Sequence, residues 1–179
     1  LLILGLLLWS GAHLFKRLAP DARARMGNTG KGVAAVASLA AIVLMVIGYR
    51  AADVVVLWSP PPFLTYVNNL LMVLAIYLLA SSGAKTWITT KIRHPQLTAV
   101  KTWAVAHLLV NGDLASLVLF GGLLAWAVVS VIVINRAEPA WVRPAPAPAK
   151  KEVMAVVATI LVVVIVMLIH NWLGVPPWG

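Results

Sequence analysis

Four histidines carry most of the chemistry this chain could do: His13, His94, His107 and His170. Each lies in or beside an apolar stretch. An ionisable side chain within a membrane span is costly enough that it needs a partner or a task. There is no cysteine, so thiolate metal sites, thiol nucleophiles and disulfides are excluded. His13 stands three residues before Lys16, roughly 5 Å inside a boundary set by that lysine. If Lys101 marks the same boundary on its own helix, His107 is roughly 9 Å inside it. Those depths would allow one shared ligand. His94 then falls in a loop. His170, eighteen residues beyond Glu152, sits roughly 27 Å across, near the opposite face. It can meet His107 only if the helix carrying His107 starts as early as Pro95, with Lys101 buried or snorkelling.

Two imidazoles at similar depth on different helices suit a b-type haem, for which imidazole is a standard axial ligand. Gly11 and Ala12 near one ring, and Ala104 and Ala106 near the other, would leave room for a flat macrocycle. Lys16, Arg17, Arg93 and Lys101 lie where its propionates would emerge. Trp9 and Trp103 each precede a histidine by four residues, on the same helical face. The plainer reading stays open, because a membrane histidine is often only hydrogen-bonded to a neighbouring helix. Zinc fits less well: no carboxylate lies near His13 or His107 in sequence. A nucleophilic site fits least, since Asp53 and Asp113 belong to the other face.

The elements that must position these side chains follow from composition. Of 179 residues, 62% are hydrophobic and 11% charged. That is far more apolar than a soluble domain and marks an integral membrane protein. Six apolar segments can be placed, over residues 1–15, 33–49, 63–80, 95–111, 114–134 and 153–173, near the ~17–25 residues a span needs. The expected fold is an all-α polytopic transmembrane bundle of about six helices, forming a single domain over 1–179. The first segment lacks a charged leader and reads as a span, not a cleaved signal. Asn111-Gly112-Asp113 breaks the long apolar run, with Gly112 as a left-handed C-cap and Asp113 as an N-cap.

Net charge is +9, but the basic residues gather in short loops, which argues for the positive-inside rule and against a nucleic-acid partner. Lys16, Arg17, Arg23, Arg25 and Lys31 mark the first loop as cytoplasmic. Lys85, Lys91 and Arg93 mark the third, and Arg136, Arg143, Lys150 and Lys151 the fifth. Both termini are then expected outside. Trp58, Trp172 and Trp178 fit an outer aromatic belt, and Trp87 and Trp141 an inner one. Tyr49, Arg50 and Asp53 read as an interfacial anchor with an ion pair. Gly121-Gly122 invites close helix approach, and Asn68 and Asn69 invite hydrogen bonds between helices. Residues 144–149 alternate Pro and Ala and form an extended spacer.

Several strings resemble the NnrU family over essentially the whole chain. They are Gly11-Ala12-His13-Leu14, Trp58-Ser59-Pro60-Pro61-Pro62, Arg93-His94-Pro95, the long string from Ala106 through His107 and Asn111-Gly112-Asp113 to Ser116, and Leu119-Phe120-Gly121. The resemblance implies a bacterial inner (cytoplasmic) membrane protein associated with nitrite and nitric oxide reduction. The family also includes the 15-cis-zeta-carotene isomerase, a haem b membrane enzyme, which is similar here through Arg93-His94-Pro95-Gln96, Trp103 and Ala106-His107-Leu108. That likeness implies His13 and His107 as haem ligands, and a cis–trans isomerase acting on an apolar polyene. The alternative it leaves is a non-catalytic accessory protein of denitrification. The expected partners are the bilayer, an apolar small molecule and other membrane subunits. The chain departs from the isomerase in having Ala104 in place of a cysteine and Tyr49 in place of a histidine. An Arg-His-Pro string also occurs in isoprenylcysteine-type methyltransferases, but their downstream acidic pair is absent; the tail has only Glu138 and Glu152.

Overall fold

The computed structural model describes residues 1–145 and 147–177. The expectations that fell on Pro146, Trp178 and Gly179 lie outside the described residues. Among the described residues there are seven α-helices and no strand: α1 Leu2–Leu18, α2 Pro20–Arg25, α3 Thr29–Arg50, α4 Leu64–Ala84, α5 Pro95–Val110, α6 Leu114–Ala137 and α7 Ala149–Trp172. All six apolar segments are helical. Most run a few residues past their apolar stretch, because helical hydrogen bonding continues into the flanking polar residues. The added element, α2, starts where Pro20 takes its first turn, a position that needs no N–H donor. Helices α3, α4, α6 and α7 are long and apolar enough to cross a membrane. Helices α1 and α5, at 17 and 16 residues, are shorter.

Proline sets several of the boundaries. Pro95 opens α5 and Pro148 precedes α7. Helix α4 ends with Lys85 in the left-handed region, at φ 56°, where glycine is usual. The break between α5 and α6 falls at Asn111-Gly112-Asp113. Asp113 caps α6 as expected, its carboxylate accepting from the Ser116 amide at 2.8 Å. Gly112 does not take a left-handed cap, since the positive-φ glycines are Gly27 and Gly174. Instead Gly112 meets the chain at 55–58. Its carbonyl accepts from the amides of Leu57 and Trp58, and the Leu114 amide donates to Val55. A Cβ at Gly112 would fall 1.9 Å from the Trp58 carbonyl oxygen, so close backbone approach is what demands glycine here.

The helices gather into two compact units. In the first, residues 1–58 and 112–139, α1 packs against α3 and α6, with α2 beside α1. Small residues make this possible. A Cβ at Gly5 would lie 2.8 Å from the Met45 amide, one at Gly48 2.2 Å from the Leu2 amide, and one at Gly122 2.8 Å from the Leu6 side chain. Gly121 has no such contact with another helix; its nearest neighbour is Leu117 of its own helix. In the second unit, residues 59–111 and 140–179, α4 is central and packs against both α5 and α7. Its core is largely alanine, with Ala75, Ala99, Ala104, Ala106 and Ala155 all buried. The large aliphatic side chains point outward, Val36 being 70% exposed on α3 and Ile160 58% on α7. An interior of small residues under a surface of Val, Leu and Ile is the arrangement a lipid solvent selects.

Candidate functional site

In unit 1, His13 lies on α1 with its Nδ1 2.9 Å from the carbonyl oxygen of Trp9, one turn back. A carbonyl can only accept, so the Nδ1 proton is the donor and the lone pair of the neutral ring is on Nε2. The Trp9 ring stacks against the imidazole, centroids 4.0 Å apart and tilted by 31°. Trp126 of α6 meets both rings edge-on, 5.4 Å from Trp9 and 5.2 Å from His13. The imidazole is exposed at the surface of the helices, whereas Trp126 is buried.

In unit 2, His107 repeats this local arrangement on α5. Its Nδ1 is 3.0 Å from the carbonyl oxygen of Trp103, and the two rings are 5.0 Å apart at 48°. The lone pair is again on Nε2. The carbonyl of His107 in turn accepts from the Asn111 side chain at 2.8 Å, tightening the end of the helix. Here α5 begins at Pro95 and Lys101 is half-buried, which meets both conditions for His107 to approach His170. His170 lies on α7, which packs with α5 against α4 in the same unit. His170 also gives Nδ1 to a carbonyl one turn back, that of Val166 at 2.8 Å, but has no tryptophan against it among the described residues.

The basic residues expected around the ligand are distributed unevenly. Arg17 is engaged by Glu138 in an exposed ion pair within unit 1. Lys16 is exposed, and Arg93 and Lys101 are half-buried. Gly11 and Ala12 do border a hollow of about 300 Å³, but its other walls are Phe15, Met26 and the α3 residues Val33 and Ala37. The small residues near His13 therefore face α3, while the imidazole turns toward α6. Among the described residues no three His, Asp or Glu side chains converge as a metal site would require. Haem iron needs only axial ligands from the protein, and an imidazole with Nδ1 anchored and Nε2 carrying the lone pair has the chemistry for one.

Three polar features were not legible from spacing. Trp126 gave no local signal, because its partners are on another helix. Tyr49 does not serve an Arg50–Asp53 pair, and those two residues form no ion pair. Its hydroxyl instead lies 2.8 Å from the buried Ser116 hydroxyl, which reaches Asp113 at 2.6 Å. Burial works against the charge on Asp113, but hydrogen bonds from the Ser116 hydroxyl and from backbone amides outweigh it and hold the carboxyl below its ordinary 3.8. Glu152, isolated in sequence, accepts from the Tyr77 hydroxyl at 3.1 Å and from the Trp87 amide, tying α7 to α4 and to the turn that follows it. Asn69 reaches past the helices to the Pro177 carbonyl at 2.9 Å.

No curated protein and no solved structure matches the chain. The profile of one family, described as NnrU protein, matches residues 1–177, which takes in both histidine sites and the whole 111–116 string. The chain therefore belongs to the NnrU family.

Proposed function

We propose that this NnrU-family chain binds haem b in the membrane through the imidazoles of His13 and His107. The observation that carries the reading is the posture the two rings share. Each gives its Nδ1 proton to the carbonyl four residues back, keeps its lone pair on Nε2, and has a tryptophan against it. His170 shares the bond to the carbonyl one turn back, so the tryptophan against the ring is what sets His13 and His107 apart, and a metal-binding imidazole is commonly held by such neighbours. Bound haem would supply an iron centre whose reactivity depends on its axial ligands and on the polarity around it. The protein's own residues do the rest: the carbonyls fix the tautomers, the indoles limit ring rotation and keep water away, and Lys16, Arg93 and Lys101 offer positive charge to carboxylates. The basic helix ends face the cytoplasm in this reading, in the inner membrane of a bacterium.

The activity that goes with this reading is isomerisation of a cis double bond in an apolar polyene, as the likeness to the zeta-carotene isomerase implies. The apolar helix surfaces would admit such a substrate from lipid. The test has two stages. Protein purified after haem-replete expression should show sharp ferrous bands in the visible spectrum, and their absence would refute haem binding. Cells accumulating 9,15,9′-tri-cis-zeta-carotene should then convert it to the 9,9′-di-cis isomer when they express this chain. A filled haem site without conversion would refute the isomerase and leave the accessory role in nitrite and nitric oxide reduction, in which deletion impairs that reduction and leaves carotenoids unchanged.

A further inference from the structure

Unit 1 holds a group of hydrogen-bond donors that haem ligation does not use. The indole N–H groups of Trp9 and Trp126 are both buried, and neither has an acceptor among the described residues. Ser130, one turn along α6 from Trp126, has a buried hydroxyl that is likewise unpartnered. Trp126 is 8% exposed and Ser130 4%. Trp9 and Trp126 are in ring contact with each other and with His13. Leaving such a donor buried without a partner is unfavourable, because it has given up its bond to water. Three of them on touching or adjacent side chains, in a core that is otherwise mostly apolar, are a group of donors that packing does not explain.

We propose that Trp9, Trp126 and Ser130 form a subsite beside His13 that takes the carbonyl oxygen of a lipid-soluble molecule. The chemistry of the donors selects the ligand. Indole N–H only donates, so the partner must accept, and a carbonyl oxygen has the two lone pairs that two indoles require. A hydrocarbon polyene offers no acceptor, so this ligand differs from the substrate proposed above. A metal cation is excluded because indole N–H does not ligate one. An anion is disfavoured, because the nearest basic residues along these helices are at their ends. Lys16 is seven residues from Trp9 and Arg136 six from Ser130, roughly 9–10 Å away along the axis, so a full charge at this depth would have no counter-ion. A neutral carbonyl compound dissolved in the bilayer, such as a quinone, meets every condition. The subsite does not depend on iron being bound to His13.

The test uses the full chain in nanodiscs, with its eight tryptophans labelled with 15N at the indole nitrogen, in haem-free and haem-loaded forms. The probes are duroquinone and durene, the same methylated ring with and without carbonyl oxygens. Duroquinone should shift two indole N–H resonances downfield, the ones missing from Trp9→Phe and Trp126→Phe, and durene should leave them in place. Each Phe variant should weaken duroquinone binding about tenfold, the loss of one hydrogen bond of about 1.4 kcal/mol, and Ser130→Ala should weaken it less. Replacing Trp126 by benzothienylalanine keeps the ring and removes only the N–H, so it should weaken binding equally even where Phe disturbs folding. The proposal is overturned if durene shifts the same two resonances, if duroquinone at saturation moves neither, if binding survives both Phe variants and the benzothienylalanine replacement, or if the two N–H groups contact only water. Haem loss in His13→Ala with duroquinone binding retained would leave the subsite standing, and the converse would leave the haem reading standing.

Discussion

His13 and His107 have the same local device in different surroundings. In both, an imidazole anchors to the carbonyl four residues back and lies against the tryptophan at that position. This part of the geometry is set by the helix itself, which brings residues four apart onto one face. The surroundings come from tertiary packing. His13 is exposed and has Trp126 of another helix edge-on beside it, with unpartnered donors close by. His107 is half-buried and shares its unit with a second imidazole, His170. A repeated local motif therefore indicates how a ring is held, and its surroundings indicate what else it can do.

The comparison breaks most completely where backbones touch. Gly48→Leu places a side chain on the Leu2 backbone, a clash too severe for a rotamer change to relieve. Hydrogen exchange should show α1 and α3 losing protection while α4 and α7 keep theirs. Equal loss throughout would mean that the units do not stand apart energetically. In unit 2, Glu152→Ala removes the acceptor for Tyr77 and for the Trp87 amide. It should cost about 1–3 kcal/mol in a thermal or SDS titration, and leave the Trp9–His13 contact unchanged.

Asp113→Ala should cost about 1 kcal/mol through loss of the α6 cap. The contribution also has a pH signature. Because the folded carboxyl titrates below its ordinary 3.8, the stabilisation is complete above that value and is lost as pH falls through the lower folded value. A wild-type minus Asp113→Ala difference that stays flat down to pH 3 would contradict this. The smallest effect is expected for Arg17→Ala. Its ion pair with Glu138 is exposed, so the change should stay within about 1 kcal/mol and fade with salt. A larger change would mean that Arg17 serves a ligand as well.

The helices were readable because their signals are local. Apolar runs, the prolines at 60–62 and 95, and Asp113 before Leu114 fix the helix boundaries within a few residues. The tryptophan–histidine pairs were readable for the same reason. What could not be read depends on residues far apart in the chain. Nothing near Trp126 announces Trp9, nothing near Tyr49 announces Ser116, and Glu152 looks isolated until α4 packs against α7. The left-handed expectation for Gly112 failed because glycine serves close approach as well as positive φ, and sequence does not separate the two. Helix α5 starts at Pro95, six residues before Lys101, so of the two depths that the sequence allowed for His107 the one reckoned from Lys101 is the smaller.

We propose His13 and His107 as the residues that ligate haem iron. The most direct test is the visible and electron paramagnetic resonance spectrum of three variants purified after haem-replete expression. His13→Ala and His107→Ala should each lose the six-coordinate low-spin signature, with added imidazole restoring it, and His170→Ala should keep it. If His13→Ala is silent while His107→Ala and His170→Ala both abolish the signature, the ligands are His107 and His170 within unit 2, and the role assigned to His13 is wrong.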